Sequence, residues 1–155
     1  MTKFIITIFL FSIALFSNPS FSLELTVKVA KIKTIDKKIV MEVYLLTDTN
    51  SQDWQNLHLI DKKITEFDTD NQDIIFTGLQ KRTYAIRLFQ DINNNGLLDR
   101  SSNNIPLEPV GFSNNPSLFG GEPTPEDSAF VLTKDQRVTI NLKHRKPKKR
   151  RKKHQ

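Results

Sequence analysis

Apolar and polar residues alternate along most of this chain with the two-residue period of half-buried strands. Leu23, Leu25, Val27 and Val29 share one face of a first strand, and Glu24, Thr26 and Lys28 share the other. The phase slips at Ala30, after which Ile32 carries the apolar register; a bulge is one way to make such a slip. Thr34–Lys38 is a polar turn, and Ile39, Met41, Val43 and Leu45 point inward from a second strand over 39–47. The two read as an antiparallel hairpin. A short strand follows at Lys62–Phe67, then strands at 74–79 and 83–90. In the latter, Tyr84, Ile86 and Leu88 face one way and Ala85, Arg87 and Phe89 the other. Segments 128–133 and 137–143 form a last hairpin across Lys134-Asp135-Gln136. About seven strands and no soluble helix predict an all-β fold, an antiparallel β-sandwich.

Two stretches break the alternation. Asp48–Asp61 is polar and holds the single Trp, Trp54, which is expected to fold back over the edge of the core. Ser102–Asp127 is long, aperiodic and rich in proline, and loops of that length within a domain are commonly functional. Phe112 and Phe119 are expected to pin it to the sandwich as buried anchors; a ligand platform of Glu108, Phe112, Ser113 and Asn114 is the alternative.

Just before that segment stands D-I-N-N-N-G-L-L-D, Asp91–Asp99. Asp91, Asn93 and Asn95 place oxygens at alternate positions, Gly96 supplies a sharp turn, Leu97 offers its backbone carbonyl and Asp99 a further carboxylate. This is the first part of a calcium-binding loop of the EF-hand kind, with Leu98 as the apolar residue turned to the core. The final bidentate Glu is missing; Ser102 stands there, and Glu108, Glu126 or Asp127 would have to complete the site. With two carboxylates, calcium binding is expected to be weak, with a dissociation constant on the order of 10⁻⁴–10⁻³ M. The competing expectation is an Asn-Gly turn that needs no metal.

The two ends change the picture of the charge. The net charge is +6, yet residues 143–155 hold nine Lys/Arg and no acid, while 23–142 hold 13 Lys/Arg against 17 Asp/Glu, a balance of −4. The basic character belongs to the tail, 144–155, which is predicted to be disordered. Its expected partners are anionic envelope surfaces or polyanions. Residues 1–22 read as a secretory signal peptide: Lys3, an apolar run Phe4–Phe16, and Ser20-Phe21-Ser22 before the cleavage point. That run is shorter than the roughly 18 residues of a membrane span, so the mature chain is expected to lack a transmembrane segment. The domain is therefore 23–143, and the localisation exported, periplasmic or secreted.

Four motifs carry a resemblance. F-T-G-L-x-x-x-T-Y-A-I (Phe76–Ile86), the Asp91–Asp99 loop, I-P-L-E-P-V-G-F-S-N-N (Ile105–Asn115) and P-E-D-S-A-F (Pro125–Phe130) occur in the order seen in a family of exported bacterial proteins catalogued as domain of unknown function 2141. The chain resembles that family over roughly Leu23 to Lys143. The resemblance implies a small exported β-sandwich, immunoglobulin-like or transthyretin-like (prealbumin-like) in plan, and no established reaction. Where the family usually has a glycine before Thr-Tyr-Ala, this chain has Arg82.

Several chemistries are not indicated. Cys is absent, which excludes disulfides, thiolate metal sites and a cysteine nucleophile. His58 lies in a polar stretch with no nucleophile motif near it, and His144 and His154 lie in the tail. No zinc, phosphate-loop or dinucleotide pattern occurs. The leading expectation is an exported, non-enzymatic binding or accessory module for an unknown envelope or extracellular ligand, with calcium stiffening the 91–99 loop. The alternatives are an adaptor held to anionic surfaces by its tail and, last, a cell-envelope hydrolase.

Overall fold

The computed structural model describes residues 22–47, 52–69, 72–103 and 105–144. The predicted signal peptide, Ser22 apart, and the basic tail beyond His144 lie outside the described residues.

The described residues form eight strands in two sheets, an all-β sandwich. They are β1 (Leu23–Ala30), β2 (Lys38–Leu45), β3 (His58–Glu66), β4 (Gln72–Leu79), β5 (Arg82–Asp91), β6 (Val110–Phe112), β7 (Ala129–Leu132) and β8 (Gln136–Asn141). One sheet has the order β4-β1-β8. The other has β3-β2-β5-β6, with β7 also paired to β5. The inward faces meet in one core that includes Leu25, Val27, Ile39, Met41, Phe76, Ile86, Leu88 and Ile140. The inward sets predicted for β1, β2 and β5 are the observed ones.

The pairing differs from the sequence expectation in three places. β1 and β2 are not a hairpin but lie in opposite sheets. The phase slip after Ala30 marks the end of β1 rather than a bulge within it. Lys31 (φ 64°) and Asp36 (φ 59°) bend the connection from one layer to the other, and Ile32 is buried beneath it. β7 and β8 are likewise split between sheets, β7 against β5 and β8 against β1. Asp135 ties their connection to the first sheet by accepting from the Glu24 amide at 2.9 Å. β8 runs parallel to β1, so the sandwich is not wholly antiparallel. A local alternating pattern fixes which face is buried, but it is blind to which strand lies alongside.

β5 is the strand on which the outer layer is built. Along one edge it pairs with β2, from Lys38↔Asp91 to Leu45↔Tyr84. Along the other, β7 covers its first half and β6 its second. The two partners meet at Ile86, where Ser113 fills the gap. Its Oγ accepts from the Ile86 amide at 2.9 Å and donates to the Ser128 carbonyl, while its own amide donates to the Ile86 carbonyl at 3.0 Å. β6 also reaches the first sheet, since Val110 and Lys143 exchange backbone hydrogen bonds of 3.2 and 2.8 Å. Gly111 makes this approach possible: a Cβ there would lie 2.7 Å from Ile140 Cγ2.

At the far edge, β3 begins at His58, before the predicted Lys62, and carries exposed Leu59, Ile60 and Ile64. Lys63 opposes core-facing Met41 and caps the open side, with its ammonium 4.9 Å from the Phe76 ring centre. The Lys62 amide is taken by Asp61 Oδ1 at 2.7 Å. An inward charge and an occupied edge amide both discourage strand addition.

Candidate binding cleft and its supporting loop

The outer face of the second sheet is apolar too. Val40, Tyr44, Trp54, Ala85, Phe89, Val110 and Phe112 form a second buried cluster there, packed by Leu98 from the Asp91–Asp99 loop and Leu118 from the long segment. Trp54 covers the sheet as expected, and its indole donates to the Pro123 carbonyl at 2.8 Å. Ser102–Asp127 is thus a cover laid over the sheet, containing the strand β6 that the sequence did not announce. The cover does not close. Within it, where it folds around β6 and meets the Lys143–His144 end of the described chain, lies a cleft of about 590 Å³, within the range of ligand pockets. Ile105, Val110, Phe112, Leu118 and Phe119 give it apolar walls, and Glu108, Glu122, Lys143 and His144 stand around it.

The predicted platform is only half assembled. Glu108 and Phe112 line the cleft. Ser113 is wholly buried in the β6–β7 gap, and Asn114 donates its side-chain amide to the Ala129 carbonyl. Both hold the backbone. Phe112 is a buried anchor, but Phe119 is 100% exposed, contrary to expectation. Its neighbours Gly120 (φ 102°) and Gly121 (φ 133°) take conformations open to glycine, and the ring stands at the cleft without being covered. His144, expected to be unoriented, bonds the Lys31 carbonyl through Nε2 at 2.8 Å. His58 is exposed at the start of β3.

The Asp91–Asp99 loop braces one end of the cover. Asp91 ends β5 and is buried. Its Oδ1 accepts from the Asn95 amide (3.1 Å) and its Oδ2 from the Gly96 amide (2.7 Å). Asn93 and Asn95 donate to the two Asp99 oxygens at 2.6 and 3.2 Å, and Leu97 is exposed. Asn94 and Gly96 take positive φ. Of the three acids proposed to complete the loop, Glu108 alone arrives. Its Oε1 accepts from Ile92 N at 2.7 Å and its Oε2 from Asp99 N at 3.2 Å, so one buried carboxylate holds both ends of the loop. Glu126 accepts from Gln52, and Asp127 caps Thr124. Among the described residues no group of three or more His, Asp or Glu is placed to hold a metal ion. Oxygen donors to a cation here would be Asp91, Asp99, the Asn93 and Asn95 amides and the Leu97 carbonyl.

A charged cluster missed by sequence reasoning lies beneath the cover. Arg87 on β5 stands opposite Glu42 on β2. Its guanidinium donates to Glu42 Oε2 (2.8 Å) and to Tyr44 Oη (2.9 Å), and stacks over the Tyr44 and Trp54 rings at 5.4 and 5.3 Å. Tyr44 donates to Glu42 at 2.7 Å, and Lys62 adds a contact at 3.3 Å. From the cover, Glu122 pairs with Arg100 at 2.7 Å and approaches Arg87 at 3.7 Å. Burial alone would raise the Glu42 carboxyl, but hydrogen bonds from Tyr44, Arg87 and Lys62 and the Arg87 charge outweigh it and hold it below its ordinary value. Burial and then the hydrogen bond to Glu42 push Tyr44 up to about 12. Burial opposes the Arg87 charge, yet its acidic partners raise its pKa further. The signal for this cluster was present: β2 is apolar at both odd and even positions, so a lone Glu42 within it requires a partner.

A bacterial family described as uncharacterized proteins, DUF2141, matches residues 27–141. The chain belongs to this family. The matched DUF2141 region runs from within β1 to the last residue of β8 and so contains the bracing loop, the cover and the charged cluster. Lys143 and His144 lie just beyond it. The Arg82 departure is accommodated: Arg82 opens β5 without a positive φ, and a positive φ falls instead on Gly78 (82°), near the end of β4. No curated protein and no solved structure shows a match.

Proposed function

We propose that the protein is an exported, non-enzymatic binding module that takes an apolar group into the cleft that the Ser102–Asp127 cover forms around β6, beside Lys143 and His144. The observation that carries this reading is the cleft itself, about 590 Å³ with mainly aliphatic and aromatic walls. The state of the neighbouring charges supports a binding role over a catalytic one. Glu122 is paired with Arg100 through one oxygen, and Glu108 accepts from two backbone amides, so both carboxylates hold structural partners. Export rests on the Met1–Ser22 pattern. Calcium is the second part of the reading. It would bind Asp91, Asn93, Asn95, Leu97 and Asp99 weakly and stiffen the loop that Glu108 already ties to the cover.

The test uses 8-anilinonaphthalene-1-sulfonate as an apolar probe on the chain 23–155. Its fluorescence should rise and saturate with the native chain, and Leu118→Glu, which puts a charge on the wall, should weaken binding at least tenfold. Equal binding by the variant, or none by the native chain, contradicts the reading.

A further inference from the structure

One wall of the cleft stands open. Phe119 is among the lining residues, yet its ring is wholly exposed, whereas Phe112 on the same cleft is buried. The chain on either side of that ring is pinned. Upstream, the Asn115 side chain donates to the Thr139 carbonyl at 2.8 Å and accepts from the Asn141 amide at 2.7 Å, and the Pro116 carbonyl accepts from the Lys143 ammonium. Leu118 packs against the second buried cluster. Downstream, Glu122 is paired with Arg100 at 2.7 Å, and the Pro123 carbonyl accepts from the Trp54 indole at 2.8 Å. Between these anchors the bonds are local. The Gly121 amide donates to the Leu118 carbonyl at 3.3 Å, and the Phe119 amide to Ser117 Oγ at 3.1 Å. Phe119 thus stands at the tip of a β-turn, Leu118–Gly121. Gly120 and Gly121 complete the turn, and a Cβ at either would meet no atom within 4 Å. Two glycines with open space around them form a hinge directly after the ring.

We propose that the Phe119 turn is a lid: when an apolar group occupies the cleft, the turn swings at Gly120-Gly121 and lays the ring over it. This rests on the cleft reading and adds to it a ligand-contacting residue and the way the site closes. The open position is the one expected of an empty site. A ring folded over an unfilled apolar hollow faces a void, and a face without partner atoms gains no dispersion energy. An occupant supplies those atoms, so the ring leaves water only when there is something to pack on. Closure is then a shift between two positions of the turn, biased by the occupant's better contact with the closed one. Glu108 and Lys143 at the wall are bonded to neutral backbone groups and keep their charges. The closing step is therefore assigned to apolar contact alone, and an uncharged occupant isolates it.

The experiment titrates the chain 23–155 with octyl glucoside below its micellar concentration and follows affinity together with backbone amide relaxation. In the free chain Phe119, Gly120 and Gly121 should move more on the picosecond-to-nanosecond timescale than Asn115 and Glu122 on either side. At saturation they should become as ordered as those anchors. Phe119→Ala should weaken binding about tenfold. It should leave the melting temperature of the empty protein unchanged, since the ring is wholly exposed there. If Phe119→Ala binds as tightly as the parent, the ring does not cover the occupant and the inference is overturned. If the variant binds weakly but residues 119–121 are equally ordered in the free and saturated parent chain, the ring is a fixed wall and the lid is again overturned. Either result leaves the cleft reading standing. Absence of saturable binding by the parent chain overturns both.

Discussion

At the scale of single residues, the charged cluster under the cover sets how the protein responds to pH. Glu42 has a folded pKa below its ordinary 4.5. The fold therefore prefers the carboxylate, and this contribution is fully present above 4.5 and lost as pH falls through the lower folded value. Glu42→Gln should destabilise the protein by about 1–3 kcal/mol near neutrality. Its deficit in thermal denaturation should shrink in acid below 4.5. A deficit that stays constant into acid would show that Glu42 acts through packing alone. Tyr44 behaves in the opposite sense. Its pKa is raised from 10.0 to about 12, so the stabilisation of the neutral phenol is complete below 10.0 and lost as pH rises through about 12. Ultraviolet titration should show a tyrosine ionising near 12 that Tyr44→Phe removes. Ser113 is a third decisive residue, because it replaces a missing piece of strand. Ser113→Ala leaves the Ile86 amide without its side-chain acceptor and should cost about 1–3 kcal/mol in denaturant unfolding.

At the scale of elements, β6 and the Asp91–Asp99 loop decide whether the cover stays in place. β6 spans three residues, and it holds because Gly111 lets it press against Ile140 and Leu88. Gly111→Ala should destabilise by about 1–3 kcal/mol through overpacking, although a glycine has been replaced by a stiffer residue. An unchanged melting temperature would show that the contact yields freely. The loop bears on calcium. At ten times its dissociation constant, calcium bound only to the folded state adds about 1.4 kcal/mol. The melting temperature should rise by a few degrees in millimolar calcium, and Asp91→Asn should abolish the rise. No rise at several millimolar would make the loop a hydrogen-bonded turn closed by Glu108 alone. Much at this scale was legible in the sequence. The alternation in β1, β2 and β5 identifies the inward faces, and the Asp91–Gly96 spacing identifies the turn. What was not legible was partnership. β1 and β2, and β7 and β8, are close in sequence yet sit in opposite sheets, because alternation is satisfied by any neighbour that buries the same face. β6 was invisible because Val110-Gly111-Phe112 is too short to show a period and is buried on both sides.

At the scale of the molecule, one sheet serves two cores. Its inner face closes the sandwich, and its outer face is roofed by a segment with almost no regular structure. The long aperiodic stretch covers the outer face of the second sheet, and Glu108 and Phe112 line the cleft it forms. The cleft itself had no signature, since it arises from the way the roof folds around β6 beside Lys143 and His144 rather than from any motif. Arg87 and Glu42 also escaped, being 45 positions apart in the chain and joined only by the β2–β5 register. The central claim is that this cleft receives an apolar group. Amide chemical-shift mapping of the chain 23–155, titrated with octyl glucoside below its micellar concentration, tests it most directly, because an uncharged probe ignores the basic tail. The account predicts saturating shifts concentrated at Ile105, Val110, Phe112, Leu118 and Gly121. Shifts confined to the exposed β3 residues Leu59, Ile60 and Ile64, or no saturation anywhere, would contradict it.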